Sequence, residues 1–485
     1  MSARLAELAD ACLLPAFDGL VAPDWLLDRL GSGLGGVTLF ARNIGSPQQV
    51  AALTAQLRNA APTVVVAIDE EGGDVTRLEV ATGSSYPGNL ALGAVDDVDV
   101  TRRVAASIGA DLRGAGVNLN LGPVADVNSN PNNPVIGVRS FGPDAELVAR
   151  HAAAYVEGLQ SAGVAACTKH FPGHGDTAED SHHGLPTVTD SADALDLALQ
   201  PFRAAIKSGT RAIMTAHIVV PQLGVDPGTI NPRILTDLLR RELGFEGLIV
   251  TDALDMGAIR QGVGDVEGAV RALIAGADAL CLSGREERDV LDAIREGIVA
   301  AVVAGRLSEA RLRDAGQRVR SCVTWDGPPA MPRDGKVGLV AARRGLRSVG
   351  DVRLRADNPF VVQLEPAANM AAGIMPWGVA TPLRELGADV DSVTLFEADA
   401  NVDPLIGRAH QPVVLVLRDA ARHAWQRGLL QRICHARPDT IVVEMGLPGT
   451  PAPDAAGQIV THGAGLVNAV AAAEQLLGRT IPEVF

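Results

Sequence analysis

The sequence predicts an α/β protein whose first domain is a (β/α)8 TIM barrel and whose second, smaller domain is an α/β three-layer sandwich. Short apolar runs alternate with amphipathic stretches, eight such units fill roughly the first 300 residues, and a proline-rich segment separates them from a second series. Apolar runs without polar alternation are typical of parallel strands that helices cover on both faces. A doubly wound sheet is the alternative, but it does not need eight units.

The eight predicted strands are short and rich in aliphatic residues. Helical patterns lie between them, and Ser46 before Pro47 and Asp190 or Ser191 are good N-cap residues for two of these helices. The strands are predicted at Leu13–Phe17, Gly36–Phe40, Val64–Asp69, Val117–Pro123, Val164–Lys169, Ala212–His217, Leu248–Asp252 and Asp278–Ser283.

A linker with three prolines and two glycines is predicted at residues 323–336, between a catalytic domain at 1–322 and a C-terminal domain at 337–485. The stretch His462-Gly463-Ala464-Gly465 is interpreted as a helix entry, because no strand is expected directly before it. Strands of the second domain are expected at Val337–Ala341, Phe360–Gln363, Val393–Phe396, Val413–Leu417 and Ile441–Glu444.

The composition excludes several classes of partner and site. A net charge of -15 argues against nucleic acid and anionic membranes as partners. The five cysteines are scattered and show no metal-ligand spacing, so neither a disulfide framework nor a zinc site is expected. The first ten residues lack the apolar stretch of a signal peptide, which predicts a cytoplasmic protein. We expect no metal and no cofactor.

Charged or imidazole side chains follow five of the predicted strands. In a barrel of this kind, functional groups lie at the carboxyl ends of the strands. Asp69-Glu70-Glu71 follows the third strand, Asp126 the fourth, Lys169-His170 the fifth, His217 the sixth and Asp252 the seventh. The sequence therefore predicts a functional site at this rim.

The densest group of titratable residues is the stretch Cys167–Pro186, which holds four histidines, three acids and a lysine. A loop of this composition that leaves a strand end is a typical place for chemistry. It offers two carboxylate–imidazole pairs, Asp180 with His182 and Asp176 with His174. The residue types alone do not decide which pair is functional.

This mixture of carboxylates, imidazoles and cations suits acid/base or nucleophilic chemistry on a polyol. Glycoside hydrolysis needs a carboxylate below the anomeric carbon and a proton donor near the leaving oxygen. Asp252 is the best candidate for the carboxylate, because it ends a buried strand. Asp255 is the competitor, but aspartate there is a common helix N-cap, so we expect a structural role for it. A histidine can be the donor near neutral pH.

Four blocks of sequence resemble glycoside hydrolase family 3, in its β-N-acetylglucosaminidase branch and two-domain form. They occur in the family's order and cover most of the predicted barrel. The blocks are the loop from Lys169 to Thr177 continuing through Asp180-Ser181-His182, the stretch Asp69 to Leu78, the stretch Ile136 to Gly142, and the stretch Gly247 to Gly257.

The resemblance implies a retaining mechanism and assigns roles to individual residues. Asp252 is the expected nucleophile, and His182 the expected general acid/base with Asp180 as its partner. The residues that match positions binding the N-acetylglucosamine ring are Asp69, Arg77, Arg139, Lys169 and His170. Arg77 lies far enough from its strand end to form a purely structural salt bridge instead. His174 and Asp176 are expected to brace the loop.

The resemblance also implies a small carbohydrate substrate, namely N-acetylglucosaminides and muropeptides recycled from the bacterial cell wall in the cytoplasm. The oligomeric state expected is a monomer or homodimer. One alternative is a β-glucosidase, or a broad β-glycosidase or phosphorylase of the same family, that takes its acid from a glutamate of the second domain such as Glu365, Glu397 or Glu444. A second alternative is a non-catalytic sugar-binding protein.

Overall fold

The computed structural model of the chain divides into two compact units. Unit 1 consists of Met1–Glu70, Thr101–Ile136 and Pro143–Arg333, and unit 2 of Glu71–Val100, Gly137–Gly142 and Asp334–Phe485. The structure describes residues 2–179, 184–189, 191–284, 288–324, 332–367, 372–397 and 410–480.

Unit 1 contains all eight predicted strands, and all but β5 are shorter than expected. They are β1 (Leu13–Pro15), β2 (Gly36–Leu39), β3 (Val65–Ile68), β4 (Leu119–Asn120), β5 (Ala165–Phe171), β6 (Ala212–Thr215), β7 (Leu248–Val250) and β8 (Leu280–Leu282). Strands β2 to β7 form one parallel sheet in chain order, and β1 pairs in parallel with β8. A parallel bridge joins Val250 of β7 to Ala279, directly before β8.

The strands of unit 1 are apolar because their side chains are buried on both faces of the sheet. Every residue of β2, β3, β5 and β6 is buried. Aliphatic side chains and cysteines from the strands share one core, which includes Leu14, Val65, Leu119, Cys167, Met214, Val250 and Cys281. All five cysteines of the chain are buried and free.

Helices separate the strands of unit 1, and the N-caps predicted from the sequence explain two of their starts. Ser46 accepts a hydrogen bond from the Gln49 amide and Ser191 one from the Ala194 amide, whereas Asp190 lies outside the described residues. The helices are Ser2–Asp10, Asp24–Gly31, Pro47–Ala60, Val98–Gly114, Ala145–Ser161, Ala192–Lys207, Gly257–Arg260, Asp265–Ala275, Arg288–Val303 and Glu309–Val323, with a π-helical segment at Arg233–Glu242. Among the described residues, no helix is both long and apolar enough to cross a membrane.

Unit 2 is built on a second sheet, in the order β11-β10-β12-β13-β14-β9, and all its pairs are parallel except β14 with β9. Its strands are β9 (Arg347–Gly350), β10 (Phe360–Leu364), β11 (Asp391–Leu395), β12 (Val413–Leu417), β13 (Ile441–Glu444) and β14 (Gly457–Val460). Its helices are Asn89–Val95, Val337–Gly345, Ala380–Glu385, Ala424–Ala436 and Leu466–Leu477.

Alternate residues of the second sheet enter two separate cores. Val361, Val414 and Val443 pack with the helix Leu466–Leu477, whereas Val362 and Leu415 pack with side chains of the helix Ala424–Ala436. Successive strand residues point to opposite faces. Helices therefore cover both faces of this sheet.

One predicted strand in the second part of the chain was wrong, and two strands were not predicted. The run from Val337 is a helix and not a strand, because Leu339 and Ala342 pack against Val467 and Val470 of another helix. A short apolar run does not distinguish a strand from a buried helix. Strand β9 was missed, and so was β14, which ends two residues before His462. The interpretation of His462–Gly465 as a helix entry is nevertheless confirmed, since Gly465 is the N-cap residue of the last helix.

The predicted domain boundaries at 1–322, 323–336 and 337–485 stay a prediction. Residues 325–331 of the expected linker lie outside the described residues. Unit 2 also includes two segments from the earlier part of the chain, Glu71–Val100 and Gly137–Gly142.

Candidate active site

Four of the predicted functional side chains follow or end strands of the first sheet. Asp69 comes directly after β3, Lys169 and His170 lie near the end of β5, and Asp252 follows β7. Because β2 to β7 are parallel, their carboxyl ends lie at the same edge of the sheet. These side chains therefore belong to one rim.

An ion pair joins two of the predicted sugar-binding residues. Lys169 Nζ lies 2.6 Å from Asp69 Oδ1, and the two side chains are 2% and 18% exposed. The Lys169 amide also donates to the Pro123 carbonyl, so the lysine is anchored in the sheet. Between them these groups can donate to and accept from sugar hydroxyls.

The imidazole of His170 is held by Asp126, a fully buried residue from the end of the fourth predicted strand. Asp126 Oδ2 lies 2.7 Å from His170 Nδ1, and Oδ1 accepts the His174 amide at 2.6 Å. Burial alone would raise the pKa of Asp126, but His170, His174 and these hydrogen bonds outweigh it and lower that pKa. The ionised carboxylate therefore accepts a proton-bearing Nδ1 and fixes the orientation of the ring.

His174 and Asp176 brace the loop that follows β5, as the sequence predicts. His174 Nδ1 bonds to the Thr177 hydroxyl at 2.8 Å, and Asp176 Oδ2 accepts the Thr189 amide at 2.8 Å. Burial lowers the pKa of His174 from 6.5 to about 4, so this ring is neutral near pH 7. The predicted acid/base pair, Asp180 and His182, lies outside the described residues.

Asp252, the predicted nucleophile, is half-buried and sits on a turn between β7 and the next helix. Its Oδ1 accepts the amide of Ala253 at 2.8 Å. The competitor Asp255 is occupied differently, since its two oxygens accept the amide and the hydroxyl of Ser283, both at 2.8 Å. Asp255 therefore has a structural role, but the helix N-cap is Met256 and not Asp255.

The two predicted arginines belong to unit 2. Arg139 forms a bidentate pair with Glu71, with Nη2–Oε1 and Nε–Oε2 distances of 2.8 and 3.0 Å. Arg77 Nη1 donates to the Ala372 carbonyl at 3.3 Å. Both side chains are largely buried.

The glutamates of the second sheet differ in their surroundings. Glu444 is fully buried and accepts the amides of Asp419, Ala420 and Gly446. Burial, with the nearby Asp419 carboxylate, raises the pKa of Glu444 to about 8. Glu365 accepts from the side chains of Trp377 and Gln363, and Glu397 is exposed. Glu444 has a structural role in its own sheet.

Sequence reasoning missed the roles of two polar residues at this rim. Asp126 and His217 were recognised only as residues at strand ends, yet both are fully buried and hydrogen-bonded to site residues or their neighbours. Buried polar residues of this kind require partners, and that requirement was the available signal. Among the described residues, no group of three or more His, Cys, Asp and Glu side chains could hold a metal ion.

Comparison with known proteins places the chain in a family. The family model "Glycosyl hydrolase family 3 N terminal domain" matches residues 23–322. A beta-hexosaminidase A of Pseudoalteromonas piscicida is 36% identical over 381 residues, which cover 71% of this chain and 62% of the relative. This chain thus spans less than two thirds of that relative. A beta-hexosaminidase of Stenotrophomonas maltophilia is 36% identical over 323 residues, covering 64% of this chain and 91% of the relative.

A solved structure resembles the chain over nearly its whole length. The glycoside hydrolase family 3 beta-N-acetylglucosaminidase from Paenibacillus sp. str. FPU-7 superimposes with a TM-score of 0.88 at 34% identity, covering 98% of this chain and 97% of that one. The family model matches more than half of the sequence. The protein therefore belongs to glycosyl hydrolase family 3 and is a glycoside hydrolase.

Proposed function

We propose that the protein is a retaining exo-β-N-acetylglucosaminidase that removes terminal β-linked N-acetylglucosamine. The observation that carries this proposal is the position of Asp252 at the strand edge that also holds the Lys169–Asp69 pair. A carboxylate nucleophile and a group that binds sugar hydroxyls are thus placed on one rigid scaffold. The two beta-hexosaminidases and the Paenibacillus beta-N-acetylglucosaminidase favour the acetamido sugar.

In the proposed mechanism, an oxygen of Asp252 attacks the anomeric carbon while His182 protonates the leaving oxygen. The bond from the anomeric carbon to the aglycone breaks, and a covalent glycosyl–enzyme ester forms. His182, now neutral, takes a proton from water, which then attacks the same carbon and releases Asp252. Asp180 orients the imidazole and raises its basicity.

The sugar ring is proposed to bind Asp69 and Lys169 through its hydroxyls, with His170, Arg139 and Arg77 as further contacts. Asp126 accepts from His170 Nδ1, and Nε2 of that ring is the atom proposed to contact the substrate. The ionic groups make charge-assisted hydrogen bonds, which are stronger than those between neutral groups.

The first eight strands are proposed to close into a (β/α)8 barrel. Pairing of β1 with β8 and the Val250–Ala279 bridge support closure on one side. Close approach of β1 and β2 supports it on the other, because a Cβ on Gly36 would lie 2.8 Å from Leu14 Cδ2. The second sheet, with helices on both faces, is proposed to be a three-layer sandwich.

The proposed substrates are muropeptide-derived N-acetylglucosaminides, cleaved in the cytoplasm during cell-wall recycling by a monomer or homodimer. No cofactor takes part, because the carboxylate and imidazole supply the nucleophile and the proton. The chain is divided, in this proposal, at the linker 323–336.

The test compares kcat/KM on 4-nitrophenyl β-N-acetylglucosaminide and 4-nitrophenyl β-glucoside for the wild type and His182→Ala. We expect the acetamido sugar to be preferred by at least about 100-fold, because polar groups that bind the acetamide are unpaired with glucose. An activated aryl leaving group needs little protonation, so His182→Ala loses much more activity on a natural disaccharide than on this substrate.

Three results contradict the proposal. Equal or greater activity on the glucoside supports the β-glucosidase alternative, and His182→Ala at wild-type activity on all substrates moves the acid elsewhere. Binding of N-acetylglucosamine without turnover at high enzyme concentration supports a sugar-binding protein instead.

A further inference from the structure

His217 is a fully buried histidine that the proposed mechanism does not use. It lies two residues beyond β6, the strand next to β7 in the first sheet, and Asp252 follows β7. Its Nε2 lies 2.9 Å from the carbonyl oxygen of Ala253, and its Nδ1 lies 2.7 Å from the hydroxyl of Thr229. The ring thus connects the interior of the protein to the residue that follows the proposed nucleophile.

The direction of these hydrogen bonds follows from the chemistry of the atoms. A carbonyl oxygen can only accept, so Nε2 of His217 carries a proton whether the ring is neutral or charged. In the neutral ring, Nδ1 accepts from Thr229. The Thr229 hydroxyl in turn accepts from Thr215, whose hydroxyl lies 2.7 Å away and is also fully buried. The Ala253 carbonyl therefore sets the tautomer of the imidazole, and the Thr229 hydroxyl is the partner of its Nδ1.

The backbone after Asp252 is held from two sides. The carbonyl of Ala253 accepts from His217, while the next amide in the chain, that of Leu254, donates to the Cys281 carbonyl at 3.0 Å. One peptide unit is thus tied to β6 through a side chain and to β8 through the main chain. The amide before it donates to Asp252 Oδ1 at 2.8 Å. A rotation of this turn would move the amide that the carboxylate bonds to.

We propose that His217 is a positioning residue for the carboxylate of Asp252, an inference that rests on the proposed function. By holding the Ala253 carbonyl, it keeps the Ala253 amide aimed at Oδ1. His217 thereby fixes the carboxylate of Asp252 near the attack geometry.

A second buried histidine offers a matched control. His151 in the helix Ala145–Ser161 is equally buried, and its Nδ1 bonds to the Thr101 hydroxyl at 2.8 Å. This residue has the same kind of threonine partner, but it lies in the helical layer and not at a strand end. Substitution of His151 therefore measures how the loss of a buried histidine–threonine pair affects folding alone.

The first experiment measures kcat, KM and the thermal midpoint for His217→Leu, His217→Gln and His151→Leu on 4-nitrophenyl β-N-acetylglucosaminide. We expect His217→Leu to lower kcat about 100-fold with KM within about 3-fold, since a misplacement of 1 Å costs that much. His217→Gln keeps an N–H near the Nε2 position and recovers most of the loss. His151→Leu lowers the thermal midpoint comparably but leaves kcat within about 2-fold. Equal kcat for both leucine variants overturns the proposal.

The second experiment asks whether His217 acts through Asp252. In Asp252→Ala, azide can serve as the external nucleophile: its nitrogen bonds to the anomeric carbon, the bond to the aryl oxygen breaks, and 4-nitrophenolate and a glycosyl azide are released. A residue that only positions Asp252 has nothing left to position in this background. His217→Leu should therefore cost less than about 3-fold in the azide reaction of Asp252→Ala. A loss near 100-fold there overturns the proposal.

Thr229→Val gives a second route if His217→Leu does not fold. It keeps the side-chain volume but removes the hydroxyl that bonds to Nδ1, and we expect a 5- to 10-fold loss of kcat that disappears in the azide reaction. A loss that persists with azide contradicts the proposal. Failure of the proposed function is recognised separately, because Asp252→Ala would then stay active without azide.

Discussion

Both sheets have carboxylate side chains at the carboxyl ends of their strands, but these carboxylates have different hydrogen-bond partners. In unit 1, Asp69 pairs with the Lys169 side chain, and Oδ1 of Asp252 accepts the Ala253 amide. In unit 2, Glu444 follows the same strand geometry but accepts three backbone amides and is fully buried. An acid at a strand end is therefore not by itself a functional residue. Both oxygens of Glu444 are bonded to the main chain and the residue is buried, whereas Asp69 and Asp252 are partly exposed.

The largest expected effect separates these two carboxylates directly. Asp252→Asn should lower kcat on the order of 10⁴-fold, since an amide cannot form the glycosyl ester. Glu444→Gln, the same substitution at the other edge, should leave kcat/KM within about 3-fold. The assay is steady-state hydrolysis of the aryl glycoside with thermal unfolding as a check of folding. Comparable activity losses in the two variants would contradict the different roles of Asp252 and Glu444.

The next effect concerns the cations of two ion pairs, one in each unit. Lys169→Met leaves the Asp69 carboxylate without its lysine, which we expect to cost about 3 kcal/mol in transition-state binding, or roughly 150-fold in kcat/KM. Arg343→Met is the control in unit 2, where Arg343 pairs with Glu474 at 2.7 Å. That variant should lower the thermal midpoint and leave kcat/KM unchanged. An equal loss of kcat/KM in both variants would show that the lysine acts through stability.

A smaller effect is expected for Asp126, which acts through His170. Asp126→Asn keeps the shape but removes the charge that holds Nδ1 of the ring, and we expect kcat/KM to fall about 30-fold, as for other partners of functional histidines. Histidine NMR should show a changed tautomer for His170 in this variant. An unchanged tautomer with full activity would contradict the role.

The smallest effect is an opposite response of the two sheets to pH. Burial lowers the pKa of His174 from 6.5 to about 4. As the pH falls through this range, His174 is protonated in the unfolded chain before it is protonated in the folded one. The contribution of His174 to the free energy of unfolding therefore declines as the pH falls. Because the pKa of Glu444 is raised from 4.5 to about 8, its contribution declines as pH rises through that range. Neither slope exceeds about 1.4 kcal/mol per pH unit.

Thermal midpoints measured from pH 4 to 8.5 test this pair of slopes. His174→Asn should flatten the acid side only, and Glu444→Gln the alkaline side only. These variants are compared by slope, because their midpoints at any single pH also contain the effect of altered hydrogen bonds. A flattened slope on the wrong side would contradict the assignment of either group.

The strands of unit 1 could be predicted because burial on both faces produces apolar runs, and all eight are present. The same reasoning failed at Val337, where an equally apolar run packs as a helix. It also missed β9, whose four residues are all exposed and carry no apolar signal. Edge strands of this kind are specified by their partner and not by their own sequence.

The members of the site could be predicted, but their pairings could not. Position after a strand identified Asp69, Lys169 and Asp252. The Lys169–Asp69 pair joins residues 100 positions apart, and its existence depends on the register of the sheet. Asp126 and His217 follow strands too, yet their roles depend on the hydrogen bonds of the Asp126 oxygens and of the His217 ring nitrogens. Side-chain contacts of this precision are tertiary information that no local pattern contains.

Unit 2 is built from segments that lie far apart in the chain, and this has a consequence for its synthesis on the ribosome. Asp74 accepts from Arg418 at 2.6 Å and from the Ala464 amide at 2.7 Å, partners that lie 344 and 390 positions later in the chain. A nascent chain therefore lacks both partners of this carboxylate until residues 418 and 464 have been made. Ending the chain at residue 322 would remove them permanently, and a fragment starting at residue 337 would lack Asp74. The early segments of unit 2 are thus made long before the residues that they pack against.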